Sequence, residues 1–137
     1  MSDRRVVIVG GGQAGGRVAL SLREGGFQGD ITLVAAEPHL PHERPPLSKD
    51  LLTGLSQPEG AYLADAAALA GLNITVITAI SATAIDPEAR LVSLGDGRRL
   101  AYDDLVLATG SRPRQLTMNN DAGNGGAGSV PVLRSMD

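Results

Sequence analysis

The stretch Val6–Leu20, VVIVGGGQAGGRVAL, decides the fold. Val6, Val7, Ile8 and Val9 are all β-branched, a run that resists helix and suits a strand covered on both faces, so a strand is expected over Arg5–Val9. The glycines follow at once. Beyond them Ala14, Val18 and Leu22 recur at i, i+4 and i+8, a helical stripe over Gln13–Glu24 that Gly25 and Gly26 bring to a stop. Ile31–Ala36, ITLVAA, reads as a second buried strand. A strand, helix and strand in this order form a right-handed unit whose strands run parallel.

Gly10, Gly12 and Gly15 match G-x-G-x-x-G between that strand and that helix. Gly10 allows the tight turn, Gly12 leaves room for a pyrophosphate beside the backbone, and Gly15 lets the helix approach the strand. The helix start at Gln13 offers free N–H groups and a positive dipole end to phosphate. Glu37, 22 residues beyond Gly15, stands at the carboxyl end of the second strand, where it can accept hydrogen bonds from ribose hydroxyls. It would also repel a 2′-phosphate. The site should therefore hold the adenosine of FAD or NAD, and these residues alone do not separate the two. The missing G-K-[ST] excludes a P-loop.

Farther along, EPHLPHERPPLSKDLLTG carries four of the five prolines found between Pro38 and Pro58, an excursion that ends in a short helix around Ser48–Leu52. Ala61–Gly71 is Ala/Leu-rich and expected helical. ITVIT at Ile74–Thr78 is a third strand. The segment around AIDP and the GDG turn at Gly95–Gly97 reads as an antiparallel meander of two or three strands. DLVLATG, Asp104–Gly110, returns as a buried strand. The fold class is α/β: a Rossmann-like parallel sheet with an antiparallel β-meander. Residues 1–114 would form one lobe, the Gly/Asn-rich stretch 115–129 a linker, and 130–137 the start of a following segment in a larger protein.

At 137 residues, with 42% apolar residues, the chain can form one modest domain or one lobe. Phe27, Tyr62 and Tyr102 are its only aromatics, so the core must be Ala, Val, Leu and Ile. Twelve basic and fifteen acidic residues give a net charge of −3, without a basic tail, which disfavours nucleic acid. The absence of cysteine removes thiolate metal sites, iron–sulfur ligation and CxxC redox pairs from this chain, and no metal site is expected. No signal-peptide pattern or apolar run of spanning length occurs, so the expectation is a cytoplasmic protein with no membrane partner.

PHERPPLSK at Pro41–Lys49, AIDP at Ala84–Pro87 and YDDLVLATGSRPR at Tyr102–Arg114 together resemble the pyridine-nucleotide-dependent flavoprotein reductases. The likeness is greatest to the ferredoxin and rubredoxin reductases of oxygenase systems, the putidaredoxin-reductase type. That resemblance selects FAD over NAD for this site. It implies that Gly10, Gly12, Gln13, Ala14 and Gly15 hold the pyrophosphate and Glu37 the adenosine ribose. Arg44 and Pro45 would line the cofactor groove, and Lys49 would stand near the reactive ring as the catalytic cation. Ala82 would read adenine through its backbone, Thr109 and Gly110 would close over phosphates and flavin, and Arg134 would neutralise pyrophosphate charge, with Arg112 a candidate second cation. The implied reaction passes hydride from NADH to FAD and then single electrons to a ferredoxin-like iron–sulfur protein. Because this family carries a second glycine turn for NADH elsewhere, this lobe is not expected to turn over alone. Two departures stand out: glycine is usual where Ala79 stands, and tyrosine is frequent at His42. A stand-alone nucleotide-binding module and an NAD-dependent dehydrogenase lobe are the competing readings.

Overall fold

The computed structural model describes residues 3–114 and 133–135. The expected linker lies outside them. Four strands, β1 (Arg5–Val9), β2 (Asp30–Val34), β3 (Ile74–Ile77) and β7 (Asp104–Leu107), form a sheet in the order β3-β2-β1-β7. Every pairing in it is parallel, with Val6 opposite Ile31 and opposite Asp104. Between β3 and β7 the chain makes the meander β4 (Ala82–Asp86), β5 (Leu91–Leu94) and β6 (Arg99–Ala101), a separate antiparallel sheet.

Alternation along β1 builds two cores on opposite faces of the parallel sheet. Val6 and Ile8 join Ile31, Leu33 and Ile74 under helices α1 (Gln13–Glu24) and α2 (Ala66–Gly71), through Ala19 and Leu69. Val7 and Val9 join Val34 against Val92, Leu94 and Tyr102 of the meander side. The result is a helix layer, a parallel sheet and a small antiparallel sheet. Each strand is short, yet β1 is buried on both faces as its composition requires.

The last expected strand is not buried: β7 stops at Leu107 and is half-buried to exposed, because it forms the edge of the parallel sheet. Three further local expectations need correction. The apolar stripe of α1 centres on Gly15, Gly16 and Ala19, with Val18 and Leu22 only half buried and Ala14 exposed. The cause is Gly15: a Cβ there would overlap the Gly10 carbonyl, so its absence brings the helix down on the turn and swings Ala14 outward. The short helix sits earlier than expected, as a 3₁₀ turn at Pro45–Ser48, because the two prolines occupy its first positions. The Ala-rich helix starts only at Ala66, where the Asp65 carboxylate caps it by accepting from the Ala68 amide at 2.7 Å.

Two arginines missed by periodicity hold the frame. Arg5 bonds Asp103 through its side chain and its backbone amide, which keeps that carboxyl below the usual carboxylate range and ties β1 to the β6–β7 turn. Arg23 donates to the carbonyls of Phe27, Gly29, Leu72 and Asn73, joining the exit of α1 to the α2–β3 turn.

Ala79 sits in a conformation that favours glycine. Its φ is +58, the left-handed region, and its amide donates to the Glu37 carbonyl at 3.0 Å, fastening the turn after β3 to the end of β2. An L-residue there costs about 1–2 kcal/mol, against about 0.4–1 kcal/mol of unfolded-chain entropy that a glycine would restore. Ala79→Gly should raise stability by about 0.5 kcal/mol, read as a higher urea midpoint at unchanged slope. A lower midpoint would count against this account.

Candidate functional site

β1 and β7 are neighbours in space, although β1 is followed in the chain by β2 on its other side. Such a reversal of strand order opens a crevice beyond the carboxyl ends of the strands, and ligands of open α/β sheets bind there. A cleft of 620 Å³ occupies this place. Its floor is Val9–Gly12 at the end of β1, one wall is Val34–Glu37 at the end of β2, and the other is Ala108–Arg112 after β7. Ser81 and Ala82, Arg44 and Arg134 complete its rim.

The glycines divide by what forbids a side chain. Gly10 has φ +123, and a Cβ there would overlap the Ala108 carbonyl, so the turn itself requires glycine. At Gly12 the nearest atom to an added Cβ is Arg44 Nη2 at 3.7 Å, ordinary van der Waals distance. The protein leaves that space open. Gly12 is also the N-cap of α1 and no side chain caps the helix, so the amides of its first turn remain available to an anion.

The rim is linked through charge. Arg44 Nη2 donates to Glu37 Oε1 at 2.8 Å, while Arg44 Nη1 donates to the Arg134 carbonyl. Arg134 Nε in turn donates to the Ser111 carbonyl at 2.9 Å, and its guanidinium lies over Gly110, whose φ is +67. The cleft lining thus carries the guanidiniums of Arg44, Arg112 and Arg134 against the single carboxylate of Glu37. A surplus of two positive charges in a chain of net charge −3 suits a pyrophosphate.

Of the residues singled out from the sequence, Gly10, Gly12, Ala14, Glu37, Arg44, Ala82, Thr109, Gly110, Arg112 and Arg134 meet in this cleft. Gly15 is buried beneath it, packing the helix, and Gln13, Pro45 and Lys49 do not line it. Lys49 is exposed at the end of the 3₁₀ turn. Sequence reasoning missed the Arg44–Glu37 pair, Ser81 and Ser111. The pair left no signal in spacing, because it depends on the proline-rich excursion folding back. Two backbone bonds, Glu43 amide to Ala61 carbonyl and Leu63 amide to Pro41 carbonyl, hold it there.

The model of the pyridine nucleotide-disulphide oxidoreductase family matches residues 4–136. The chain belongs to that family.

Its relatives include putidaredoxin reductase of Pseudomonas putida, 45% identical over 136 residues, a match covering 99% of this chain and 32% of that protein. The ferredoxin–NAD(+) reductase component of the p-cumate 2,3-dioxygenase system of the same species is 41% identical, covering 97% of this chain and 32% of its own length. Among solved structures, putidaredoxin reductase in its covalent complex with putidaredoxin superposes with a TM-score of 0.80 at 46% identity, over 85% of this chain and 28% of that one. A ferredoxin reductase from Rhodopseudomonas palustris gives 0.78 at 38% identity, over 86% and 29%. The chain therefore spans about a third of the length of the curated relatives it matches. Among the described residues no helix is long and apolar enough to cross a membrane, and no group of His, Cys, Asp and Glu could hold a metal ion.

Proposed function

We propose that the cleft binds the ADP half of FAD and that the chain is the cofactor-binding lobe of an NADH-dependent ferredoxin reductase. The observation that carries this is Gly12: an open cradle at the helix N-terminus that the protein's own packing does not need, facing a rim with two surplus positive charges. In this reading the first-turn amides of α1 and the three arginines bind the pyrophosphate, Glu37 accepts from the ribose diol, and the Ala82 backbone borders the adenine. Thr109 and Gly110 border the path toward the flavin end. Bound FAD supplies the two-electron to one-electron conversion between NADH and an iron–sulfur protein. Lys49, on the exposed side of the 3₁₀ turn beyond Arg44, is proposed as the cation nearest the flavin ring. A change in flavin potential without loss of FAD affinity in Lys49→Met is the expected sign of that role. The relatives named as ferredoxin reductases, and the putidaredoxin complex among the neighbours, support the partner class.

Titration of the chain with FAD and with NAD, followed by calorimetry and by the visible flavin spectrum, tests the reading. Selective uptake of FAD is expected; binding of NAD alone would overturn it. Glu37→Ala should weaken FAD by about tenfold or more, the loss of hydrogen bonds to a charged acceptor worth about 1.5–3 kcal/mol. The variant should stay folded with a modestly lowered midpoint, since the substitution strips the buried His42 Nε2 of its facing carboxylate but keeps the Glu37 backbone bond to Ala79. Collapse of the fold would instead make Glu37 structural.

A further inference from the structure

Behind the Glu37–Arg44 pair lies a second contact that the cofactor reading does not use. His42 is 1% exposed, and its Nδ1 stands 2.9 Å from the Leu40 carbonyl oxygen. A carbonyl only accepts, so Nδ1 carries the hydrogen. The other ring nitrogen, Nε2, faces Glu37 Oε2 at 3.6 Å. Both atoms are shut off from solvent and neither has a hydrogen-bond partner.

Left as a neutral imidazole beside an ionised carboxylate, this arrangement would bury two acceptors against each other. Orphaned buried polar atoms are rare because each forfeits its bond to water. Water cannot bridge the two atoms, since neither is open to it. The gap is slightly long for a hydrogen bond, and a small rotation of either side chain closes it. Among the other charged or titratable groups around His42 are Arg44, which already holds Glu37 Oε1, His39, whose ring lies edge-on at 6.3 Å, and Tyr62, whose backbone is bridged to that of His42.

We propose that His42 is a positioning residue for the cofactor's adenosine ribose: its Nε2–H donates to Glu37 Oε2 and so turns Oε1 to the cleft. The inference rests on the assignment of the cleft to FAD. Glu37 is then held at both oxygens, by His42 from the interior and by Arg44 along the rim. Fixing an acceptor before the ligand arrives removes the cost of ordering it on binding. His42 itself touches no ligand.

Two measurements test this on the 137-residue chain. The first is ¹⁵N NMR of histidine-labelled protein without ligand, with the His42 ring assigned from the signals lost in His42→Gln. Hydrogens on both His42 nitrogens are expected in the wild type, with Nε2 losing its hydrogen in Glu37→Gln. A bare Nε2 in the wild type overturns the proposal. The second is FAD affinity. His42→Phe, which keeps the ring volume and removes the donor, should weaken FAD by about tenfold. His42→Gln, whose amide donates from a similar reach, should stay within about threefold of wild type. A folded His42→Phe protein that binds FAD as tightly as wild type overturns the positioning role alone. If His42→Phe fails to fold, the His42→Gln affinity and the wild-type spectrum decide. A wild-type chain that binds no FAD overturns the cofactor assignment, and this inference with it.

Discussion

Gly12→Val is expected to abolish detectable FAD binding, a loss of at least about a hundredfold, in a chain that remains folded. An added Cβ at Gly12 meets nothing closer than Arg44 Nη2 at 3.7 Å, so the apo protein can house it. Valine is a poor N-cap, and the change should cost about 1 kcal/mol of stability at most. Its methyl groups, however, project into the space that pyrophosphate must share with the α1 amides, and toward the guanidinium that would neutralise it. Gly15→Ala makes the opposite prediction. Its Cβ would overlap the Gly10 carbonyl, which is backbone and cannot swing away, so the helix must lift from the turn. Overpacking of this kind costs about 1–3 kcal/mol or more and should lower the unfolding midpoint before any ligand is added. Calorimetry with FAD and thermal unfolding of both variants separate the two roles. Equal FAD affinity in Gly12→Val would remove the pyrophosphate from this place.

Arg23→Ala is expected to cost a large share of the stability. The guanidinium satisfies four carbonyls, at 2.6 Å to Leu72 and Phe27 and at 2.8 Å to Gly29 and Asn73, and stacks over the Phe27 ring at 5.8 Å. Hydrogen bonds to a charged donor contribute about 1.5–3 kcal/mol each when made singly. Sharing one side chain and partial exposure reduce the sum, and about 3 kcal/mol is expected, a large fraction of a small domain's stability. Urea unfolding measures it. Arg23→Lys should recover only part, because an ammonium cannot span carbonyls on two separate turns. A change under about 0.5 kcal/mol in Arg23→Ala, the range of ordinary surface substitutions, would refute the clamp.

The central lobe was legible in local pattern. The β-branched run, the spaced glycines and the helical stripe are short-range signals: β1 and α1 formed where they were expected, and β2 pairs in parallel as expected but ends at Val34, two residues short of Ala36. The meander showed itself through its GDG turn, which the structure closes between β5 and β6 with Gly97 at φ +89. Where expectations moved, a local competitor was responsible: Pro45 and Pro46 drew the short helix forward, and the Asp65 cap delayed the Ala-rich one.

The candidate site divides in the same way. Gly10, Gly12 and Glu37 could be named from spacing, because strand ends and a helix start put them at one edge of the sheet whatever else the chain does. The pairing of Arg44 with Glu37, the seat of Arg134 on Gly110 and the burial of His42 behind Glu37 could not be read that way. These contacts join segments whose relative placement depends on backbone bonds to residues 61–63 and on the strand order β3-β2-β1-β7. By itself the sequence determined a dinucleotide turn with an acidic partner, since steric and periodic rules act within a few residues. The tertiary structure alone decided the charge balance of the cleft and which oxygen of Glu37 is buried against His42, because electrostatic contacts act through space between residues that no sequence spacing relates.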